Sequence, residues 1–272
     1  MIKLIIDSAA DITAEEGNAL GIEIIPIKVA FDGTEYENMP NAEFYKKLKA
    51  SKKLPTTSLI NEATYKEVIE KNLEGGNSVF VMSLSSGLSG SFDSLKIAAE
   101  EIGSEKVAIC DSETVAFGYR ILAMEAAKAI AGGATLEELS AEIESMKKKV
   151  RLFAVIDKVT YLIKGGRLSM AAGIAVTALN IKPVVAVDKV VKVADKALGF
   201  KHGMHRIIKL VNNIDVDREI SFGHTDCADK LNDFMKLVKD KLGVSSDNIC
   251  GIGPVVGTHV GQGCVGLAYF EK

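Results

Sequence analysis

The sequence predicts an α/β fold in two lobes. Short β-branched runs alternate with longer stretches of helical period, the pattern of strands joined by helices. The 272 residues suit one large domain or two of ordinary size, and 47% hydrophobic residues is ample for buried cores.

In chain order, KLIID, EIIPIKVAF, SVFVMSL and KVAICD read as strands of the first half. Between them, Tyr65, Val68, Ile69 and Leu73 share one helix face, with Asn61 as its cap and Gly75-Gly76 as its end. Phe92, Leu95, Ala99 and Ile102 form a second such stripe. Two more helices, over 113–131 and 135–149, are separated by Gly132-Gly133 and finish in Lys147-Lys148-Lys149, a basic run read as a solvated helix end. VRLFAVI then opens the second half as a strand. It is followed by two helices, a strand pair around Asp188, a helix, the strand EISFGH, a helix and two final strands. This division predicts an N-terminal α/β domain over 1–150 and a C-terminal α/β domain over 151–272.

Composition removes several classes of function. Lys plus Arg total 33 against 36 for Asp plus Glu, scattered rather than in blocks, so nothing marks a nucleic-acid partner. Cys110, Cys227, Cys250 and Cys264 lie far apart without metal-ligand spacing and read as free thiols of a reducing compartment. The N-terminal MIKLIIDSAAD reaches aspartate too early for a signal peptide. The apolar region from Ala171 is broken by Asn180, Lys182 and Pro183, too soon for a bilayer span. A cytoplasmic protein without stable membrane insertion is the expectation.

Polar chemistry gathers at predicted strand ends, where ligands of open α/β sheets bind. LSSGLSGSFDS (84–94) combines glycines that expose backbone amides, serine hydroxyls and a helix start near Ser91, a combination that suits an anion. The plainer alternative is that Ser89 or Ser91 caps a helix. The segment is neither a P-loop nor GxSxG, and a serine nucleophile would need His202, His205, His224 or His259 as base. Asp7 and Asp111, each before serine, read as helix caps ahead of acid/base groups or metal ligands, since no carboxylate cluster of metal-binding spacing accompanies them. Lys164-Gly165-Gly166-Arg167 reads as a glycine helix end that presents an arginine. His259 lies in what reads as a glycine-lined loop, with few core neighbours to explain it.

Taken in order, DSAAD, PTTS, LSSGLSGSFDSL, DSETVAFG, YLIKGGRLS, LNIKPV and IGPVVGTHVGQGCVGLAYF resemble the DegV family of bacterial proteins, which bind fatty acids. The resemblance runs nearly end to end. It implies two α/β lobes of the DegV type with the lipid site between or within them. The implied ligand is a long-chain fatty acid whose carboxylate is held by hydroxyls and amides: Thr57 or Ser58, then Ser89 and Gly90, with Ser85 and Ser86 lining the pocket. It further implies a partner, an ATP-dependent fatty acid kinase that phosphorylates the presented acid. Arg167 and His259 then stand at the pocket mouth or face the kinase. No cofactor, metal or catalytic residue of its own is expected. A serine esterase in the same cleft, or a phosphate-binding scaffold, are the competing classes. Two departures from the family pattern appear. KALGFKHGMHRII, with Lys201 and Gly203, stands where an arginine-rich stretch is usual, and Leu59-Ile60-Asn61 follows PTTS where proline is common.

Overall fold

A computed structural model of the chain describes residues 1–170 and 180–272. Its first half runs β1 (Ile2–Asp7), α1 (Ala14–Leu20), β2 (Ile22–Ile25), β3 (Val29–Phe31), β4 (Thr34–Tyr36), α2 (Asn41–Ala50), β5 (Thr56–Thr57), α3 (Glu62–Leu73), β6 (Ser78–Ser83), α4 (Ser91–Ile102), β7 (Val107–Asp111), α5 (Ala116–Ala131) and α6 (Leu136–Met146). The second half runs β8 (Val150–Val155), α7 (Thr160–Lys164), β9 (Ile181–Asp188), β10 (Val190–Leu198), α8 (Phe200–Leu210), β11 (Ser221–His224), α9 (Ala228–Leu242), β12 (Ile249–Gly251), α10 (Pro254–Val260) and β13 (Val265–Phe270).

The first half forms a parallel four-stranded sheet, ordered β2-β1-β6-β7, whose central strands β1 and β6 are buried near-continuously, as parallel strands covered on both faces must be. The second half forms a six-stranded sheet, ordered β10-β9-β8-β13-β11-β12, antiparallel except for β11 beside β12. Helix α5 explains how the two meet. AFGYRILAMEAAKAIA is apolar on almost every side, and such a helix is stable only when covered all round. It packs on β1 and also on β8, β11 and β13, so it lies between the sheets. One buried cluster accordingly runs from Leu4 through Phe117 and Leu152 to Phe270. A second cluster lies on the outer face of the six-stranded sheet, under α8 and α9.

Buried charge joins the halves too. Arg120 of α5 donates to Glu16 (2.9 Å), to the Asp11 carbonyl (3.2 Å) and to Asn248 (2.7 Å). The Arg120 guanidinium holds the Glu16 carboxyl down at about 2.

Several sequence expectations need correction. EIIPIKVAF is two strands, β2 in the parallel sheet and β3 in a small antiparallel sheet ordered β4-β3-β5. Pro26 sits between them and has no amide to continue a ladder. Helix α5 starts at Ala116 rather than 113, after Val115 in extended conformation. The basic run is not wholly solvated: the Lys147 side chain is buried, bonded to Glu144 (2.8 Å) and the Asp111 carbonyl (3.1 Å). Between the two last strands, the glycine-rich stretch around His259 is helix α10. Of the two helices expected after VRLFAVI, α7 is the first; the second, with most of the apolar region from Ala171, falls on 171–179, outside the described residues.

Candidate functional site

Polar strand ends are positioned by local bonds that the sequence dictates. Asp7, at the end of β1, accepts from the Ala9 amide (3.0 Å) and from the Leu84 amide (2.7 Å), pinning the start of the serine loop, residues 84–90. Burial pushes the Asp7 carboxyl up to about 6, against the pull of these donors. Asp111, at the end of β7, accepts from the Ser86 and Glu113 amides, both at 3.0 Å. Both aspartates are therefore structural anchors. Thr57 lies on β5 opposite Val29, and the Ser58 amide donates to the Lys28 carbonyl (3.1 Å), so PTTS forms an edge of the small sheet. Helix α10 is placed by Asp11, whose Oδ1 accepts the Gly253 amide (2.9 Å), and by Tyr45, which donates to the Ile252 carbonyl (2.8 Å).

These elements enclose a narrow slot between β5, the serine loop, α7 and α10. It encloses about 510 Å³ of empty space counting its open mouth. Its walls are Ile27, Leu84, Leu88, Val115, Leu162, Val191, Val255, Val256 and Val260, and its polar groups are Thr57, Ser58, Ser89, Arg167 and His259.

Five of the predicted residues thus converge on one site from four separate stretches of chain. Ser85, Ser86 and Gly90 do not line it. Ser85 is buried and donates to the Lys189 carbonyl, Ser86 gives its amide to Asp111, and Gly90 precedes α4 beneath Leu59. The apolar walls were not identified from sequence. Val191, from a strand with alternating exposure, carried the clearest available signal, its period of two.

Arg167 defines the electrostatics. Its Nε donates to the Leu88 carbonyl (3.1 Å) and a terminal nitrogen to the Gly165 carbonyl (2.6 Å), and no carboxylate pairs with it among the described residues. Burial lowers its pKa. A partly buried guanidinium without a counter-charge is costly, and an anionic ligand relieves that cost.

His259 sets the polarity of the neighbouring hydroxyl. Its Nε2 lies 2.9 Å from Thr57 Oγ1, while Nδ1 is buried with no partner among the described residues. Burial first, then the Arg167 charge, lowers its pKa to about 4, so the ring is neutral near pH 7. A neutral imidazole carries one N–H, and an orphaned buried N–H is rarer and costlier than an orphaned lone pair. The proton therefore belongs on Nε2, which donates to Thr57 and leaves the Thr57 hydrogen free for a ligand acceptor. The ring is held close: a Cβ at Gly165 would lie 2.6 Å from Nδ1, so only glycine fits there. Ser89 Oγ accepts the Ser91 amide (3.2 Å) and lies 2.9 Å from Ser91 Oγ. When Ser91 donates across that contact, the Ser89 hydrogen is free as well. The head of the slot is thus built to donate, and it suits a group with acceptors only.

Fold and site together define a class: an α/β protein whose two sheets flank a shared helix and whose slot combines apolar walls with hydroxyl, arginine and histidine groups. The chain belongs to the DegV family, whose pattern, described as that of an uncharacterised protein, matches residues 1–272. A DegV domain-containing protein of Caldanaerobacter subterraneus is 30% identical, covering 100% of this chain and 99% of that one. Another, from Clostridium acetobutylicum, is 31% identical with the same coverage. Among solved structures, a fatty acid binding DegV family protein from Streptococcus agalactiae superposes with a TM-score of 0.90 at 26% identity, covering 100% of this chain and 99% of that chain. DegV from Bacillus subtilis, described as a fatty acid binding protein, does so at 0.86 with 28% identity and the same coverage.

Proposed function

We propose that this chain binds a long-chain fatty acid as its carboxylate and presents it to an ATP-dependent fatty acid kinase, with no catalysis of its own. The observation that carries the reading is Arg167, a partly buried guanidinium in an apolar slot with no counter-charge among the described residues. Thr57, Ser58 and Ser89 supply hydroxyl donors to the carboxylate, and the Gly90 amide stands close by at the start of α4. The acyl chain lies between the valine and leucine walls, gaining about 0.8 kcal/mol gross per buried methylene, less the cost of ordering it. Residues 1–150 and 151–272 act as the two lobes that enclose it. The fatty acid binding of the solved DegV relatives supports the ligand class. The four free cysteines fit a reducing, cytoplasmic setting.

The esterase reading loses ground on His259, which faces a threonine and is held at about 4, a weak base near neutral pH. Lipid extracted from purified protein and measured by mass spectrometry tests the binding. A stoichiometric long-chain acid, with a rise in melting temperature on adding palmitate to delipidated protein, is expected. Protein free of lipid that palmitate does not stabilise removes the reading.

A further inference from the structure

Ser85 belongs to the serine loop yet does not line the slot. Fully buried, it accepts the Gly87 amide (3.2 Å) and donates to the carbonyl of Lys189 (2.5 Å), at the tip of the β9–β10 hairpin. Lys189 sits in the left-handed region with φ 59° and gives its amide to the Glu113 carbonyl (2.9 Å). Both backbone polar groups of this turn residue are therefore held by loops of the first half of the chain. Gly87 leaves no slack, because a Cβ there would overlap the Lys189 carbonyl oxygen.

The position of this clip matters. Leu84 immediately precedes Ser85, Val115 follows two residues after Glu113, and Val191 follows two residues after Lys189; all three are walls of the slot. Any movement of the hairpin tip against the serine loop changes the spacing between those walls. Elsewhere the serine loop is tied across the halves through Arg167 and the Leu88 carbonyl, at the head of the slot. The Ser85 contact is a second tie, between apolar walls.

We propose that Ser85 is a positioning residue: by clipping the hairpin tip to the serine loop it sets the width of the slot and slows escape of an acyl chain that it never touches. The proposal rests on the fatty-acid reading above. Removing the hydroxyl takes from the Lys189 carbonyl its side-chain donor and loosens the tip.

The test uses the full chain with Ser85→Ala, Gly87→Ala and Ser89→Ala. Association and dissociation of the fluorescent fatty acid cis-parinaric acid are followed by stopped flow, and hydrogen exchange across residues 186–193 is followed without ligand. Ser85→Ala is expected to speed dissociation roughly tenfold, to leave association within about twofold and to accelerate exchange at the tip. Gly87→Ala, which strains the same contact from the other side, is expected to do likewise. Ser89→Ala should weaken binding while leaving exchange at the tip unchanged. Unaltered exchange in Ser85→Ala overturns the proposal, as does faster exchange with unaltered dissociation. If the wild-type chain takes up no cis-parinaric acid, the fatty-acid reading fails. Exchange alone then decides whether the clip holds the tip.

Discussion

On one side of α7, Leu162 lines the narrow slot; on another, Tyr161 lines a basin enclosing about 1000 Å³, roughly twice the slot's 510 Å³. Lys49, Lys158 and Lys230 stand around the basin with Asp157 and Asp226. Its charges are already met. Asp157 pairs with Lys182 (2.7 Å), Asp226 accepts from Gln262 (2.7 Å), Lys230 lies 4.2 Å from the centre of the Phe200 ring, and Lys49 and Lys158 are exposed to water. Among the described residues, the charged group lining the slot is Arg167, and no carboxylate pairs with it. Room does not make a binding site; a partly desolvated charge without a carboxylate partner, beside apolar walls, gives a ligand something to relieve.

The strongest way to break this contrast is to remove the charge. Arg167→Gln keeps hydrogen-bonding capacity but loses the cation. It is expected to weaken palmitate binding roughly 100-fold, about 2.8 kcal/mol, in line with hydrogen bonds to charged groups. Binding of the uncharged alcohol of the same length should change little. Calorimetric titration of both ligands checks this, and equal losses for acid and alcohol would show that Arg167 shapes the slot rather than neutralises the ligand.

The polar half of the site was far more legible in the sequence than the apolar half, and the reason is chemical. Hydroxyls, an arginine and a histidine next to glycines at strand ends stand out, because such residues rarely build cores. Valines and leucines look alike in a wall and in a core, so Val115 and Val255 carried no sign of their role. Ser85 shows the limit from the other side: its sequence context matches that of Ser89, but one hydroxyl faces a hairpin carbonyl and the other lines the slot. Strands and most helices were visible through their periods. The place of α5 between two sheets was not stated from the sequence, although its all-round apolarity was there to read. The break at Pro26 was equally visible, but a run of β-branched residues concealed that it separates two sheets.

A smaller effect comes from His259. Its folded pKa of about 4 lies below the ordinary 6.5, so as pH falls below about 6.5 the unfolded chain takes up a proton before the folded one does. The folded state therefore loses stability on this account as pH drops from 6.5 toward 4, and above that window the residue is neutral in both states. Asp11 and Asp7 act in the opposite sense. Burial raises them to about 7 and about 6 from 3.8, so their contribution is present at low pH and is lost as pH rises through those values. The His259 contribution has to be isolated by difference. Urea denaturation of wild type and His259→Gln at pH 7.5 and pH 5 is expected to show wild type losing ground to the variant at pH 5. A constant difference would mean that the ring is solvated and does not set the polarity of Thr57.

The smallest expected effect is in the basin, and it is the sharpest control on the comparison. Lys158→Gln removes a cation from a cavity larger than the slot and only one short helix away. If nearby positive charge alone attracted a fatty acid, this change would weaken binding as a screened, longer-range version of Arg167→Gln. An exposed lysine, however, already has its charge met by water, and its attraction for a charge several ångströms away is reduced by solvent and salt. Palmitate affinity should therefore stay within about twofold of wild type at 0.15 M salt, where the screening length is about 8 Å. Repeating the titration at low salt sharpens the point, since a through-solvent effect grows there and a contact in the slot changes little. A loss in Lys158→Gln close to that in Arg167→Gln would move the carboxylate from the slot to the basin side of α7.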